Sequence, residues 1–443
     1  MNIVHEMSLN CNNQIKISFT GGCLSSDGGL LLVKDFIHKL GVDQLLHKKF
    51  HTRDSALFRF HTDYENLLQM LYLKIAGYFE DDRSDSLNND PVLLTCLEKD
   101  KLASQPTISR FYNRMDETTL TQLDKIYADM RNIVYHHTGQ PSSVILDLDS
   151  TLLPTYGTQE GEAWNFHYQA DGYHPLVCFD GITGDLIKMQ LRNGTDYSCN
   201  GVGDFLRPIL SEYKEKYPSV NVFVRGDSGF ATPELYDLCE KYGMQYAVRL
   251  KENGVLRNLA APVVAELIKS IKGNLVDHAE IYGEFMYEAK SWSKPRRVVC
   301  KIEKPASSFI LKYTFIVTTR TDCPESCINF YCARGNMENF IKEGKDGFDF
   351  SAVSSHSKIV NSNRLLIAGL AYNIYNFMKR LVFPVSMLKD RIDTARINLF
   401  KTAVKMVKHG RQRLFKLCSS SPYQADFFEI IENIGRLRPS YIW

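Results

Sequence analysis

Four side chains between Tyr331 and Lys345 could do chemistry together. In YCARGNMENFIKEGK they are Tyr331, Arg334, Glu338 and Lys345. A helix turns about 100° per residue, so steps of four and seven return near one face. Arg334 precedes Glu338 by four, Tyr331 precedes it by seven, and Lys345 follows it by seven. A helix here would carry a phenol, a guanidinium, a carboxylate and an ammonium on one stripe. Such a surface suits holding a metal ion while gripping phosphates. The same spacing also describes a solvated face with an Arg–Glu pair. On this stretch alone both readings stay open.

A metal-holding carboxylate needs partners, and two upstream stretches offer them. VILDLDSTLL has the apolar content of a strand, with Val144, Ile145, Leu146 and Leu148. Asp147 and Asp149 lie two apart, on one face of that strand. Burying both costs too much unless cations or protons neutralise them, which points to a metal site. The alternative is a strand ending at the surface with both acids wet. Further on, a short apolar strand from Val222 to Val224 runs into Asp227, where Gly226 and Gly229 allow close backbone approach. His167 and His174 are left out of the ligand set, because a lone strand histidine is more often structural.

The elements that must position these acids follow in order. After the Asp149 strand comes a meander with turns expected at Ala170–Gly172 and Gly181–Gly184. A helix is predicted from Val202 to Tyr217, then the Asp227 strand, a helix opened by Thr232 and Pro233, and the strand MQYAVRLK. Antiparallel strands first and crossover helices later fit an α/β fold with a ribonuclease-H-like catalytic core. That reading divides the chain into a helical N-terminal DNA-binding region at 1–140 and a first part of the core at 141–251. A β-rich insertion follows at 252–325, the second part of the core with the Glu338 helix at 326–385, and a basic C-terminal region at 386–443.

Three flanking features point to DNA. In LASQPTISRFYNRMD, Ser104 is placed as N-cap with Pro106 in the first turn, and Arg110 and Arg114 share a face. That is the form of a helix-turn-helix reader, or of an ordinary helical hairpin. Within the insertion, Trp292 stands near Lys294, Arg296 and Arg297, an arrangement suited to stacking on an extruded base or to a wet basic hairpin tip. From Lys389 to Lys416, nine cations, among them Lys405, Lys408 and Arg411, face only Asp390 and Asp393. That bias suggests a phosphate-contacting surface.

Composition sets bounds. The 443 residues suffice for several domains, and 53 basic against 51 acidic residues leave the distribution of charge, rather than its sum, to decide about nucleic acid. Eleven scattered cysteines behind a polar N-terminus are expected to be reduced thiols in a cytosol. Cys323, Cys327 and Cys332 lack the paired spacing of a zinc site. The apolar run from Leu365 is interrupted by Asn373 and Asn376, so no membrane span is expected.

The Tyr-Arg-Glu-Lys spacing resembles the signature of a large group of bacterial insertion-sequence transposases. GYFEDDRSDSLNNDP with LASQPTISR, LDLDST with YGTQEG and HY, and RGDSGF resemble the family of insertion sequences numbered thirteen-eighty. The resemblance covers nearly the whole chain. It implies a DNA transposase of the Asp-Asp-Glu type, with Asp149, Asp227 and Glu338 as catalytic acids and metal ligands. Asp147 is a supporting residue, because the acid-Ser-Thr pattern favours Asp149. It implies two Mg²⁺ ions, for which Mn²⁺ substitutes, about 3.5–4 Å apart, serving end cleavage and then attack of the freed 3′-hydroxyl on target DNA. Tyr331, Arg334 and Lys345 would hold phosphates of the cleaved end, and Gly344 is expected to fray the helix beside Lys345. The implied partners are double-stranded DNA (terminal inverted repeats and target) and a second copy of the chain on paired ends. The implied location is the bacterial cytoplasm, at the nucleoid. A metal-dependent nuclease that cuts without joining, and a non-catalytic DNA-binding derivative, remain as alternatives.

Overall fold

The structure is a computed structural model, and it describes residues 6–56, 58–271, 278–306, 308, 310–410 and 412–438. The chain divides into two units. One comprises Val134–Lys342 and Val353–Leu366; the other comprises Met1–Ile133, Glu343–Ala352 and Ile367–Trp443.

The unit that holds the aspartates is built on eight strands: β1 (Ser143–Ser150), β2 (Leu176–Asp180), β3 (Leu186–Gln190), β4 (Asn221–Gly226), β5 (Gln245–Leu250), β6 (Ala279–Tyr287), β7 (Arg296–Lys304) and β8 (Lys312–Thr318). They form one sheet in the order β6-β7-β8-β5-β4-β1-β2-β3. The strands β1, β2 and β3 are antiparallel neighbours. The strands β1, β4 and β5 are parallel neighbours. Parallel pairs need crossover connections, and helices α1 (Val202–Lys216) and α2 (Pro233–Tyr242) supply them. Strands β6, β7 and β8 add to the β5 edge antiparallel. The β-rich segment expected at 252–325 therefore extends this sheet.

Alternation along β1 decides what each face carries. Val144, Leu146 and Leu148 point into a core shared with Phe205, Leu206 and Leu210 of α1 and Leu235 and Tyr236 of α2. Each such burial contributes about 1.5–3 kcal/mol. Asp147 and Asp149 are thereby turned to the opposite face. On that face a smaller cluster joins Ala247, Val299 and Ile316 of the sheet to Cys327 and Ile328 of α3 (Pro324–Cys332).

Between β1 and β2 sits a small three-stranded sheet of Leu153–Pro154, Ala170–Tyr173 and Ala163–Asn165. The turn expected at Ala170–Gly172 is thus part of a strand. The chain reverses just before it, where the Asn165 side chain accepts from the amides of His167 (3.0 Å) and Tyr168 (3.3 Å). The local signal was an asparagine turn, which a glycine two residues into the strand masked.

In the other unit, the segment read as helical begins instead with an antiparallel hairpin, Glu6–Leu9 with Asn12–Ser18. Its strands are exposed along nearly their whole length, so no buried face marks them in the sequence. The helices Leu30–Leu40 and Asp63–Ala76 end at Gly41 (φ 73°) and Gly77 (φ 84°), left-handed positions that glycine adopts without strain. Thr62 and Glu65 form a capping box at the start of the second. The basic C-terminal segment forms a hairpin, Val404–His409 with Gln412–Leu417, joined by Leu24–Ser25. No helix among the described residues is long and apolar enough to cross a membrane.

Candidate active site

Asp147 and Asp149 share a strand face but not a role. Arg225 on β4 is the register partner of Asp147 on β1. Its Nε and Nη2 meet the two Asp147 oxygens at 2.6 Å each, with the pair 1% and 0% exposed. A third nitrogen, Nη1, donates to the Phe330 carbonyl at 2.5 Å and so binds α3 to the sheet. A side chain at Gly181 would sit 2.3 Å from Asp147 Oδ2, so the β2–β3 turn closes over the pair only because position 181 is glycine. Burial pushes the Asp147 carboxyl up, and Arg225 opposes that rise. Asp147 is thus occupied as a strut, and of the two acids it is Asp149 that stays accessible to a ligand.

Asp149 lies where β1 ends. Asp227 follows β4 two residues after Arg225, so the register of these parallel strands brings it out beside Asp149. The Asp149 Oδ2 meets Arg334 Nη2 at 3.0 Å, and its Oδ1 accepts from the Ser150 amide at 2.9 Å. Arg334 Nη2 also donates to the Leu148 carbonyl at 2.8 Å. Asp227 accepts from the Gly229 amide at 2.8 Å. The hydroxyls of Ser150 and Ser198 are 2.7 Å apart. Burial raises the Asp149 carboxyl above its ordinary value, Arg334 and the Ser150 amide counter it, and the charge of Asp227 adds to the rise. Burial likewise raises the phenols of Tyr168 and Tyr331, and both also sense Asp227. Asp149, Asp227, Arg334, Tyr331 and Tyr168 thus form one electrostatic neighbourhood.

Glu338 lies on the helix that follows Arg334. The expected single helix is broken: α3 ends at Cys332, Ala333–Gly335 is a 3₁₀ turn, and α4 runs Asn336–Phe348. The tighter turn spoils the four- and seven-residue stripe. Glu338 is exposed in the first turn of α4 and has no hydrogen-bond or ion-pair partner among the described residues. Phe340 holds this end of α4 on Phe179 of β2, with ring centroids 5.8 Å apart. The carboxylates of Asp149, Asp227 and Glu338 are not gathered to within 4.8 Å of one another. Among the described residues only His278, Glu280 and Glu303 are so grouped. That trio lies on β6, β7 and the segment before them, with His278 and Glu280 exposed and Glu303 half-buried, and Lys301 already pairs with Glu280 at 2.5 Å.

Tyr331 and Lys345, at the two ends of this stretch, behave differently from one another. Tyr331 is half-buried. Lys345 belongs to the unit formed by the N- and C-terminal segments. It is half-buried there, and burial lowers its ammonium below the ordinary value. Gly344 does not fray the helix, which continues to Phe348. A side chain there would come within 2.3 Å of the Phe350 ring, so glycine permits close packing instead.

Trp292 is a correction. It is 8% exposed, with Tyr236 and Tyr287 in T-shaped contact at ring-centroid distances of 5.4 and 5.2 Å and Arg296 over its ring at 5.4 Å. Buried to this extent and covered by Arg296, it does not offer a surface to a base. Arg296 and Arg297 are likewise engaged, with Glu240 and Glu284. Of the two arginines on the Gln105–Asn113 helix and its cap, Arg110 is exposed. Arg114 is committed to Asp63 at 2.9 Å and Thr52 at 3.1 Å, which withdraws it from base reading. Lys405 and Lys408 are exposed on the C-terminal hairpin; Arg411 lies outside the described residues.

Sequence reasoning missed Arg225, Ser198 and Tyr168. The signal for Arg225 was present: in RGD it sits two before Asp227, hence on the same strand face. Nothing local to Ser198 or Tyr168 marks them, since both arrive through loops.

Comparison with solved structures finds the piggyBac transposase synaptic complex with hairpin DNA, at 12% identity and TM-score 0.40, covering 94% of this chain and 86% of that one. No protein of curated function matches the chain. Residues 7–439 match the family model described as transposase DDE domain group 1, and by that match the chain belongs to this family of transposases.

Proposed function

We propose that this transposase cleaves the ends of an insertion sequence and joins the freed 3′-hydroxyls to target DNA, with Asp149, Asp227 and Glu338 as its catalytic acids. The observation that carries the reading is Asp149 beside Asp227 at the carboxyl ends of adjacent parallel strands, with Arg334 lodged against Asp149. Open α/β sheets bind their ligands at such strand ends. The order β3-β2-β1-β4-β5, antiparallel on one side and parallel on the other, supports a ribonuclease-H-like core.

The oxygen donors suit Mg²⁺, or Mn²⁺ in its place, and the guanidinium on Asp149 already stands in for a neighbouring positive charge. When bound at Asp149, Asp227 and Glu338, a pair of such ions supplies Lewis-acid activation of the attacking oxygen and stabilisation of the leaving one. The chain's own residues do the positioning. Arg334 Nε is buried without a hydrogen-bond partner, and a phosphate oxygen would satisfy it with a charge-assisted bond. Tyr331, its phenol raised by burial, keeps its proton and can donate it to a phosphate oxygen. Glu338, one turn beyond Arg334, would complete the acid set. The exposed cations of the C-terminal hairpin and Arg110 would hold duplex DNA, two copies of the chain pairing the ends. The bacterial cytoplasm is the compartment this activity needs.

The test uses DNA carrying the inverted repeats that flank the reading frame, a supercoiled plasmid as target, and Mg²⁺. The wild-type protein should cut and join, and Glu338→Gln should bind but do neither. Cutting without joined product would replace this reading with that of a nuclease. DNA binding with neither reaction in the wild type would replace it with that of a non-catalytic DNA-binding protein, a possibility favoured by the exposed position of Glu338.

A further inference from the structure

We infer that Trp164, Phe166, Tyr168 and Tyr197 form a stacking subsite for unpaired nucleobases on the DNA strand adjoining the phosphodiester at Asp149 and Asp227. The inference rests on the proposed function and deepens it by naming what the site does with the bases.

These four rings are exposed: Phe166 86%, Tyr197 77%, Trp164 46% and Tyr168 39%. Single exposed aromatics are ordinary, but a group of them in one place marks a binding surface. The segments that carry them are tied to the strand bearing Asp149. Tyr168 Oη donates to the Ser150 carbonyl at 3.3 Å. The Ser150 hydroxyl meets Ser198, next to Tyr197, at 2.7 Å. A side chain at Gly229 would meet Asp227 Oδ1 and Ser198 Cβ at 3.0 Å each, so the Tyr197 loop also borders the second acid. Tyr168 and the Tyr197 loop are therefore tied to the segments that bear both aspartates, and Trp164 and Phe166 precede Tyr168 by four and two residues on the same segment.

The scaffold beneath them is rigid. Asn165, 7% exposed, donates to the Gly194 carbonyl at 2.9 Å and so joins the Trp164–Tyr168 segment to the Tyr197 loop. Arg192, 6% exposed, donates from Nη1 to the carbonyls of Tyr197, Ser198 and Asn200. On the far side, Glu160 is held by the His356 carbonyl and the Lys358 amide at 2.9 and 3.0 Å. Buried polar side chains thus fix loops whose outward residues are apolar and uncovered. Preorganised rings lose little entropy on stacking.

The chemistry of the surface selects the occupant. Asp149 and Asp227 repel a bare phosphate, and Arg334 is the cation set to receive one, so the backbone belongs at Arg334 and the bases beside it. Aromatic faces bind any base through its π-face, whereas bases within a duplex already stack on their neighbours. Unpaired bases next to the cut are what such a rim accepts. The buried Trp292 leaves this role open.

The test is binding by fluorescence anisotropy in Ca²⁺, with three labelled probes: a blunt duplex, the same duplex with a single-stranded extension, and an oligothymidylate about 12 nucleotides long. The wild type should prefer the extended duplex to the blunt one. The double variant Trp164→Ala, Phe166→Ala should bind the blunt duplex as the wild type does and bind the extended duplex and oligothymidylate about 10-fold more weakly. Phe166→Tyr should retain the preference, because the ring remains. An unchanged preference in the double variant, or equal loss on all three probes, overturns the inference while leaving the transposase reading intact. A wild-type protein that binds none of the probes overturns both.

Discussion

Arg334 Nη2 lies 3.0 Å from the carboxylate of Asp149 and 2.8 Å from the carbonyl of the preceding Leu148. A guanidinium in that place supplies the positive charge that two neighbouring aspartates otherwise lack, and it competes with any divalent ion for the same oxygen. Arg334→Ala should therefore tighten Mn²⁺ binding to the DNA-free protein, by about 5- to 10-fold, corresponding to roughly 1–1.4 kcal/mol. The same variant should cut DNA more slowly, because a phosphate ligand is gone. Calorimetric titration with Mn²⁺ checks the first effect, and weaker ion binding would mean that Arg334 assembles the acids instead of competing for them.

Asp147 and Asp149 should separate cleanly in a pair of variants. Asp147→Asn leaves Arg225, 1% exposed, without its carboxylate. Breaking a buried pair in this way costs about 3–5 kcal/mol. Asp149→Asn, at the strand end, should fold normally and lose cleavage. Urea unfolding and a cleavage assay on both proteins read this out; a stable, inactive Asp147→Asn protein would reverse the assignment.

For Trp292→Ala the expected loss is in stability. Removing a ring packed on Tyr236 and Tyr287 leaves a cavity, at about 3–5 kcal/mol. Affinity for DNA, corrected for the folded fraction, should not change. A fully folded variant with a specific defect after first-strand nicking would return Trp292 to the DNA.

Glu240 is one source of a pH-dependent stability. Burial alone would raise the Glu240 carboxyl, but hydrogen bonds from Arg296, Lys294 and Tyr246 hold it at about 2, below its ordinary 4.5. A carboxylate depressed by folding stabilises above its unfolded value and loses that contribution as pH falls toward the folded one. Glu240→Gln should cost on the order of 1–2 kcal/mol at pH 7, discounted for partial exposure. The deficit should shrink between pH 4.5 and about 2. Urea midpoints of both proteins across that range test it, and a pH-independent deficit would point to packing.

On the C-terminal hairpin, Lys405 faces Lys416 and Lys408 faces Arg413 directly across the strands. Like charges so placed destabilise a hairpin unless anions lie over them. Charge reversal at Lys405, Lys408 and Arg411 should weaken binding to all DNA sequences and flatten its salt dependence, by about 0.9 in the log–log slope for each phosphate no longer neutralised. An unchanged salt slope would remove the hairpin from the DNA surface.

Strand periodicity, turn glycines and the order of elements were legible in the chain. The apolar alternation of VILDLDS placed Asp147 and Asp149 on one face, and the helices expected from Val202 and after Thr232 and Pro233 stand where the structure has them. These are local properties, set by side chains within a few residues of one another. The resemblance implied Asp149, Asp227 and Glu338 as the acids without showing what each one touches. Pairing decided the rest. Asp147 became a strut because the β4 register puts Arg225 opposite it, 78 residues away in sequence. Trp292 became core because Tyr236 packs on it, and Arg114 became a clasp because Asp63 lies across the fold. The helix read through Tyr331–Lys345 broke at Ala333–Gly335, where Arg334 is drawn to Asp149. Whether a charged or aromatic side chain is offered to a ligand or spent inside the protein depends on partners distant in sequence, and spacing alone carries no record of them.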